Sequence, residues 1–195
     1  MKKAIIGAGG FAREIRSAIG DSSIKFFVDD EYMDVECGVY GLSQFNPEEY
    51  QVVVAVGDPI GRASMVAKLP KNTRYFTFIH PSAQLHDGNI EIGEGSIICA
   101  GTILTTNIKI GRHSQLNLNT TVGHDTVIGE YCTTAPGTNI SGNCIIGNRV
   151  YFGTNSSVRE KISIVDGVLL GLNSGVVRSI SEEGTYIGTP AKRIK

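Results

Sequence analysis

The chain has 195 residues, of which 41% are hydrophobic and 19% charged, with a net charge of -1; that length suits one large domain or two small ones. The near-neutral balance gives no sign of a nucleic-acid or anionic-membrane partner, and no apolar run approaches the ~20 residues of a membrane span. The 24 glycines exceed the typical ~7%, and a repeat in the second half accounts for many of them.

Lys3–Gly7 reads as an apolar strand, too short and too early for a signal peptide, so the expected location is cytoplasmic. Gly7-Ala8-Gly9-Gly10-Phe11-Ala12 follows it and fits G-x-G-x-x-A, opening a helix over Gly10–Ile19 with Phe11, Ile15, Ala18 and Ile19 on its apolar face. Glycines at such a turn let backbone N–H groups approach a diphosphate at the positive end of a helix. Ile24–Val28 is the next strand. Asp29 and Asp30 end it, placed to accept hydrogen bonds from a ribose or a base. Val52–Val56 reads as a strand covered on both faces, and Ile60–Leu69 as a second helix. The turn between them, Gly57 to Arg62, lies at the same sheet end and is expected to add walls to the pocket. Arg74–Ile79 is predicted to close a small parallel sheet of the mononucleotide-binding type.

This makes residues 1–78 a Rossmann-like α/β half-domain. The glycine loop alone also fits an NAD site or a purely structural turn. Some 78 residues supply only half of a dinucleotide fold, which favours a nucleotide-diphosphate ligand. The candidate contacts are Gly7, Gly9, Gly10, Phe11, Asp29, Asp30, Gly57 and Arg62.

Around His80-Pro81-Ser82-Ala83 the pattern changes. From Ile92 to Val176 every sixth residue is aliphatic or large and apolar, with Thr134 the one exception among fifteen. A second column four places on, from Ser96 to Ile180, is small or β-branched, and glycine directly follows the apolar anchor in seven of the fifteen rungs. Neither a helix nor a two-sided strand produces a period of six. A hexapeptide repeat implies a parallel β-helix over residues 79–195. Three hexads make one coil, so residues eighteen apart stack at the strand spacing of ~4.8 Å. Cys132 and Cys144 fall in the small inward column and no C-x-x-C occurs, so the cysteines read as structural thiols, with no metal site.

His80, His86 and His113 read as structural or exposed. His124 lies at a hexad corner and is followed by Asp125, and a carboxylate beside an imidazole can fix its tautomer and raise its basicity. Gly142 stands one coil further on, where a bare backbone N–H could stabilise an oxyanion. A zinc carbonic anhydrase on the same architecture needs three converging histidines. His113 and His124 are eleven apart, which matches no coil, and no third histidine falls nearby.

The segments Gly7 to Glu14, Phe27 to Asp30, Ala55 to Asp58, His80 to Ala83, Asn117, Gly123-His124-Asp125, Ala135-Pro136-Gly137, Ser141-Gly142 and Ile187 to Lys192 together resemble the bacterial nucleotide-sugar acetyltransferases. These join a nucleotide-binding domain to a left-handed β-helix. The resemblance implies a homotrimer with acetyl-CoA lying along the coils between subunits. It implies N-acetylation of a UDP-, dTDP- or GDP-linked 4-amino-4,6-dideoxy sugar. His124 would be the general base, Asp125 its orienting acid, Asn117 an active-site asparagine, and Gly142 the donor to the thioester carbonyl. Gly188, Pro190 and Lys192 would lie near the CoA nucleotide, the glycine loop would hold the sugar's diphosphate, and Asp29 the base. Some relatives carry a second histidine nine residues after the base, where this chain has Thr133. Direct transfer needs no covalent enzyme intermediate. The alternatives are O-acetylation of a sugar of the sialic acid type and a nucleotide-sugar-binding scaffold without activity.

Overall fold

The computed structural model describes residues 1–86 and 89–195, which form two compact units, Met1–Thr77 and Phe78–Lys195.

In the first unit, β1 (Lys2–Ile6), β2 (Lys25–Val28), β3 (Val39–Gly41), β4 (Tyr50–Val54) and β5 (Arg74–Tyr75) form one sheet in the order β3-β2-β1-β4-β5. Every pairing is parallel. The central strands bury Ala4, Ile5, Ile6, Val52, Val53 and Val54 completely, as strands covered on both faces must. The helices α1 (Gly10–Ile19) and α2 (Pro59–Lys68) follow β1 and β4. A cluster of Phe27, Phe45, Tyr50 and Leu69 packs against the sheet. Two details depart from the sequence reading. Strand β3 carries too few apolar residues to show a period. The expected closing strand Arg74–Ile79 is two strands: the Phe76 N–H still donates to Val52 in the sheet, whereas the Phe78 N–H donates to Ser96 in the next unit's first coil.

The second unit is a left-handed parallel β-helix of three sheets, with strands mostly two residues long. Its register is the eighteen-residue step: Ile92 pairs with Ile110, Ile110 with Ile128, Ile128 with Ile146, and Ile146 with Ile164. The anchors fill the interior, with Leu104, Leu116, Phe152 and Leu170 at zero exposure. The small column lies inside the corners, where its hydroxyls and thiols serve the backbone of the next coil. Ser114 donates to the Gly129 carbonyl at 2.9 Å, Thr126 to Ser141 at 3.3 Å, and Cys132 to Gly147 at 3.0 Å. A larger side chain would not fit there, and an aliphatic one would leave that contact unmade.

From Gly95 to Asn173 each corner turns through a left-handed residue, with φ near +55° at Asn107, Asp125 and Asn143. Asparagine, aspartate and glycine adopt that conformation most readily. Glycine after the anchor has a separate cause: a Cβ on Gly123 would stand 2.5 Å from the Gly142 nitrogen of the next coil. Beyond Val176 the step shortens to sixteen, with Leu170 paired to Tyr186 and Ile164 bridged to Ile180. The chain then folds back as an antiparallel strand, Lys192–Arg193.

Phe152→Ala opens a cavity in the middle of this interior and should cost about 3–5 kcal/mol. Calorimetry should show the β-helix transition moving down by several degrees; an unchanged transition would mean that the coil does not depend on its anchors.

Candidate acyl-transfer site

His124 and Asp125 occupy the two central positions of the corner between the strand pairs Thr121–Val122 and Val127–Ile128. The left-handed conformation of Asp125, at φ 58°, turns its side chain back beside the ring, so that Oδ2 lies 2.7 Å from His124 Nδ1. Its other oxygen accepts a hydrogen bond from Asn107 Nδ2 at 2.7 Å, from the corner one coil earlier. The Asn107 amide first, and His124 second, hold the Asp125 carboxyl below its ordinary range. An ionised carboxylate only accepts hydrogen bonds, so Nδ1 carries the proton in the neutral ring and Nε2 keeps its lone pair.

Nε2 points along the coil axis to Gly142. A Cβ built on Gly142 would stand 2.7 Å from Nε2 and 2.9 Å from Cε1, so glycine is what lets the ring lie against the next corner. The corners stack through the Asn143 N–H to the His124 carbonyl at 2.7 Å and the Lys161 N–H to the Gly142 carbonyl at 3.0 Å. Among the described residues nothing accepts a hydrogen bond from the Gly142 N–H. The equivalent amides along another edge are capped, Glu130 by Asn148 Oδ1 and Asn148 by Asp166 Oδ1, each at 2.8 Å. The corner therefore places a base with a free lone pair beside an uncommitted donor, the pair an acyl transfer requires.

Asn117 and Thr133 do not share this corner. Asn117 follows the strand Gln115–Leu116 of another sheet, and its Oδ1 accepts the N–H of Leu118 at 2.8 Å. Thr133 is buried in the same sheet, between Gln115 and Tyr151. The corner column of His124 and Gly142 continues through Glu160 to Arg178. The latter lines a cavity of about 570 Å³ with Val176, Tyr186, Pro190, Lys192 and Arg193. Gly188 and Ala191 fasten the end of the chain over Gly175 by backbone bonds of 2.9 and 2.8 Å. Asn107, Arg178 and Arg193 escaped the sequence reading, although counting eighteen back from Asp125 points to Asn107.

In the first unit, Gly9 starts α1 with no side-chain cap; Gly9 and Gly10 are both exposed, with open space beside Gly9 and the Arg13 guanidinium 4.0 Å from where a Cβ on Gly10 would stand. Gly7 has φ +107° and lies close to the Ala55 carbonyl. Phe11 is half-buried in the first turn of α1. By contrast, Asp58 caps α2, its Oδ2 accepting the Gly61 N–H at 2.6 Å, so of these two α-helices it is α1 that presents an uncapped positive end. Both Asp29 oxygens lie within hydrogen-bonding distance of Lys68 Nζ, at 2.8 and 2.7 Å. Asp30 Oδ1 accepts the Ser43 N–H at 3.0 Å. Gly57 is exposed at the second turn. Arg62, expected as a pocket wall, is instead completely buried. Its guanidinium donates to the carbonyls of Val56 at 2.6 Å and Gly57 at 3.2 Å, because a buried cation must be saturated with acceptors. It shapes the turn from behind.

Among the described residues no cluster of histidine, cysteine or acidic side chains could hold a metal ion, and no helix is long and apolar enough to cross a membrane. Residues 2–69 match the PglD N-terminal domain, and residues 125–160 the six-repeat bacterial transferase hexapeptide. No curated protein matches the sequence. Among solved structures, the acetyltransferase domain of PglB from Neisseria gonorrhoeae FA1090 aligns over 99% of both chains at 28% identity and TM-score 0.88. It is also known in complex with acetyl coenzyme A. WeeI from Acinetobacter baumannii AYE aligns over 100% of both chains at 28% identity and TM-score 0.89. PerB from Caulobacter crescentus, in complex with CoA and GDP-perosamine, aligns over 100% of this chain and 98% of its own at 26% identity and TM-score 0.88.

Cys37 is exposed, whereas Cys99, Cys132 and Cys144 are buried. Iodoacetamide should therefore add one group to the folded protein, at Cys37. Asp34 pushes that thiol's pKa up, so labelling should be slow at neutral pH and accelerate as pH rises, because the thiolate reacts. Mass spectrometry that found labelling at Cys132 or Cys144 in the folded protein would contradict their burial.

Proposed function

We propose a function for this chain as a member of the hexapeptide-repeat nucleotide-sugar N-acetyltransferases: it transfers the acetyl group of acetyl-CoA to the amine of a nucleotide-linked 4-amino-4,6-dideoxy sugar. The observation that carries the reading is the closure of His124 onto Gly142, in a chain aligned throughout its length with enzymes crystallised with coenzyme A and GDP-perosamine.

In the reaction the amine nitrogen attacks the thioester carbon and a C–N bond forms. His124 Nε2 takes the amine proton as the nitrogen becomes positive, and Asp125 stabilises the imidazolium that results. The Gly142 N–H donates to the carbonyl oxygen as it gains charge. The C–S bond then breaks and the thiolate of CoA leaves, to be protonated by the imidazolium or by water. The inward thiols take no part, so transfer is direct.

Arg178 stands three coils from His124 in one column, about 14 Å at the strand spacing, comparable to the reach of an extended pantetheine arm. The cavity lined by Arg178, Lys192, Arg193 and Pro190 suits the coenzyme's phosphates, with Gly188 at its margin. Asn117 sits on a different corner from His124, so it would serve the site of a neighbouring copy in a homotrimer. The uncapped start of α1, with Gly7, Gly9, Gly10 and Phe11, suits the diphosphate. Asp29, Asp30 and the Gly57 turn would approach the nucleoside.

His124→Ala should lower turnover by about two to four orders of magnitude while leaving the oligomer unchanged in gel filtration; near-normal turnover would remove the role given to His124. Since Asp125 stays ionised well into the acid range, the acid limb of the kcat/KM profile should lose one proton's worth of activity, not two. Thiol release from acetyl-CoA should require a nucleotide-linked amino sugar and yield an alkali-stable amide, whereas an alkali-labile product would move the acceptor to a hydroxyl.

A further inference from the structure

We propose that Asn107 is a positioning residue of the transfer site, holding the Asp125 carboxylate from the preceding coil so that His124 presents Nε2 to Gly142. The proposal rests on the assignment of His124 as the base. Asp125 has one partner on each oxygen, Asn107 Nδ2 on Oδ1 and His124 Nδ1 on Oδ2, both at 2.7 Å. The carboxylate cannot rotate without breaking one of them. That double hold matters here because the side chains of His124 and Asp125 are 57% and 45% exposed, and an exposed ion pair alone holds its geometry weakly.

The plainer explanation of Asn107 is backbone conformation, since its φ of 53° is one that asparagine tolerates. Asn119, Asn143, Asn155 and Asn173 occupy equivalent left-handed corners, yet among the described residues none of their side chains makes a hydrogen bond. Conformation accounts for all five asparagines, but only Asn107 spends its amide on a neighbour. The hydrogen bond it donates is also the largest influence holding Asp125 ionised.

Among the described residues, no other charge lies beside this bond. The preceding coil brings Thr106 and Asn107 to the corner, and the following one Gly142 and Asn143. Glu160, beside Arg159, and Lys161 lie two coils away, about 10 Å at the strand spacing. Lys109, two residues after Asn107, pairs with Glu91. Among the described residues, Asn107 and His124 are the side chains that lower the pKa of Asp125.

Two variants of the full-length protein separate positioning from conformation. Asn107→Gly keeps the left-handed corner and removes the amide. It should lower kcat by between about ten- and a hundredfold, with KM for acetyl-CoA and the amino sugar unchanged, as expected of a residue that acts through Asp125. The side-chain nitrogen NMR signals of His124 should show a smaller share of the Nδ1–H tautomer. Asn107→Asp keeps the shape but sets a second carboxylate beside the first. Its added negative charge should move the acid limb of the kcat profile to higher pH, as the 2.7 Å approach of position 107 to Asp125 requires. Wild-type kcat and tautomer balance in Asn107→Gly, or an unmoved profile in Asn107→Asp, would overturn the proposal. Full activity in His124→Ala would instead overturn the functional reading beneath it.

Discussion

The register of the β-helix is the constraint on which the rest depends. A two-residue strand has almost no stability of its own, and one rung cannot bury its own apolar face. Each rung gains both by lying eighteen residues from the next in strict parallel pairing, as Ile110, Ile128 and Ile146 do. Once that step is enforced over several coils, every corner is aligned with its neighbours above and below. The surroundings of His124 are then set by residues distant in sequence, Asn107 before it and Gly142 after it.

The corner itself converts backbone geometry into side-chain chemistry. A left-handed residue at Asp125 brings the carboxylate back to the imidazole preceding it, and the lack of a Cβ at Gly142 lets that imidazole settle against the next peptide. The interior supports this without entering it. Thr126 and Cys144 turn their polar atoms to backbone carbonyls, and burial pushes the Cys144 thiol up, so the sulfur nearest the site in sequence is kept inert.

Much of this was legible in the sequence because the period of six is a covalent property of the chain. The coil, its eighteen-residue stacking and the meeting of His124 with Gly142 all follow from counting. The ends of the repeat did not, since the shortened step to Tyr186 is set by the antiparallel return of Lys192–Arg193 rather than by any periodic residue. In the α/β unit the glycine loop and α1 were readable, but three-residue β3 carries no period and the division of Arg74–Ile79 depends on which partner each N–H finds. Arg62 misled because residue type suggests exposure, whereas its guanidinium finds enough carbonyls to be buried. Asp29 likewise reads as a free carboxylate, yet Lys68, thirty-nine residues away, already engages both of its oxygens.

Interchangeable corners also make the site modular. Asparagine, a His-Asp dipeptide and glycine at steps of eighteen form a vertical word of four letters on one edge of the prism. The backbone beneath each letter is common to every coil, so the word has no intrinsic address. Shifting it by eighteen positions would carry the same geometry one strand spacing along the axis while leaving the Arg178 cavity, the proposed phosphate anchor, where it stands. A β-helix can therefore retune the span between its reacting corner and its distal anchor in fixed increments, without redesigning either end.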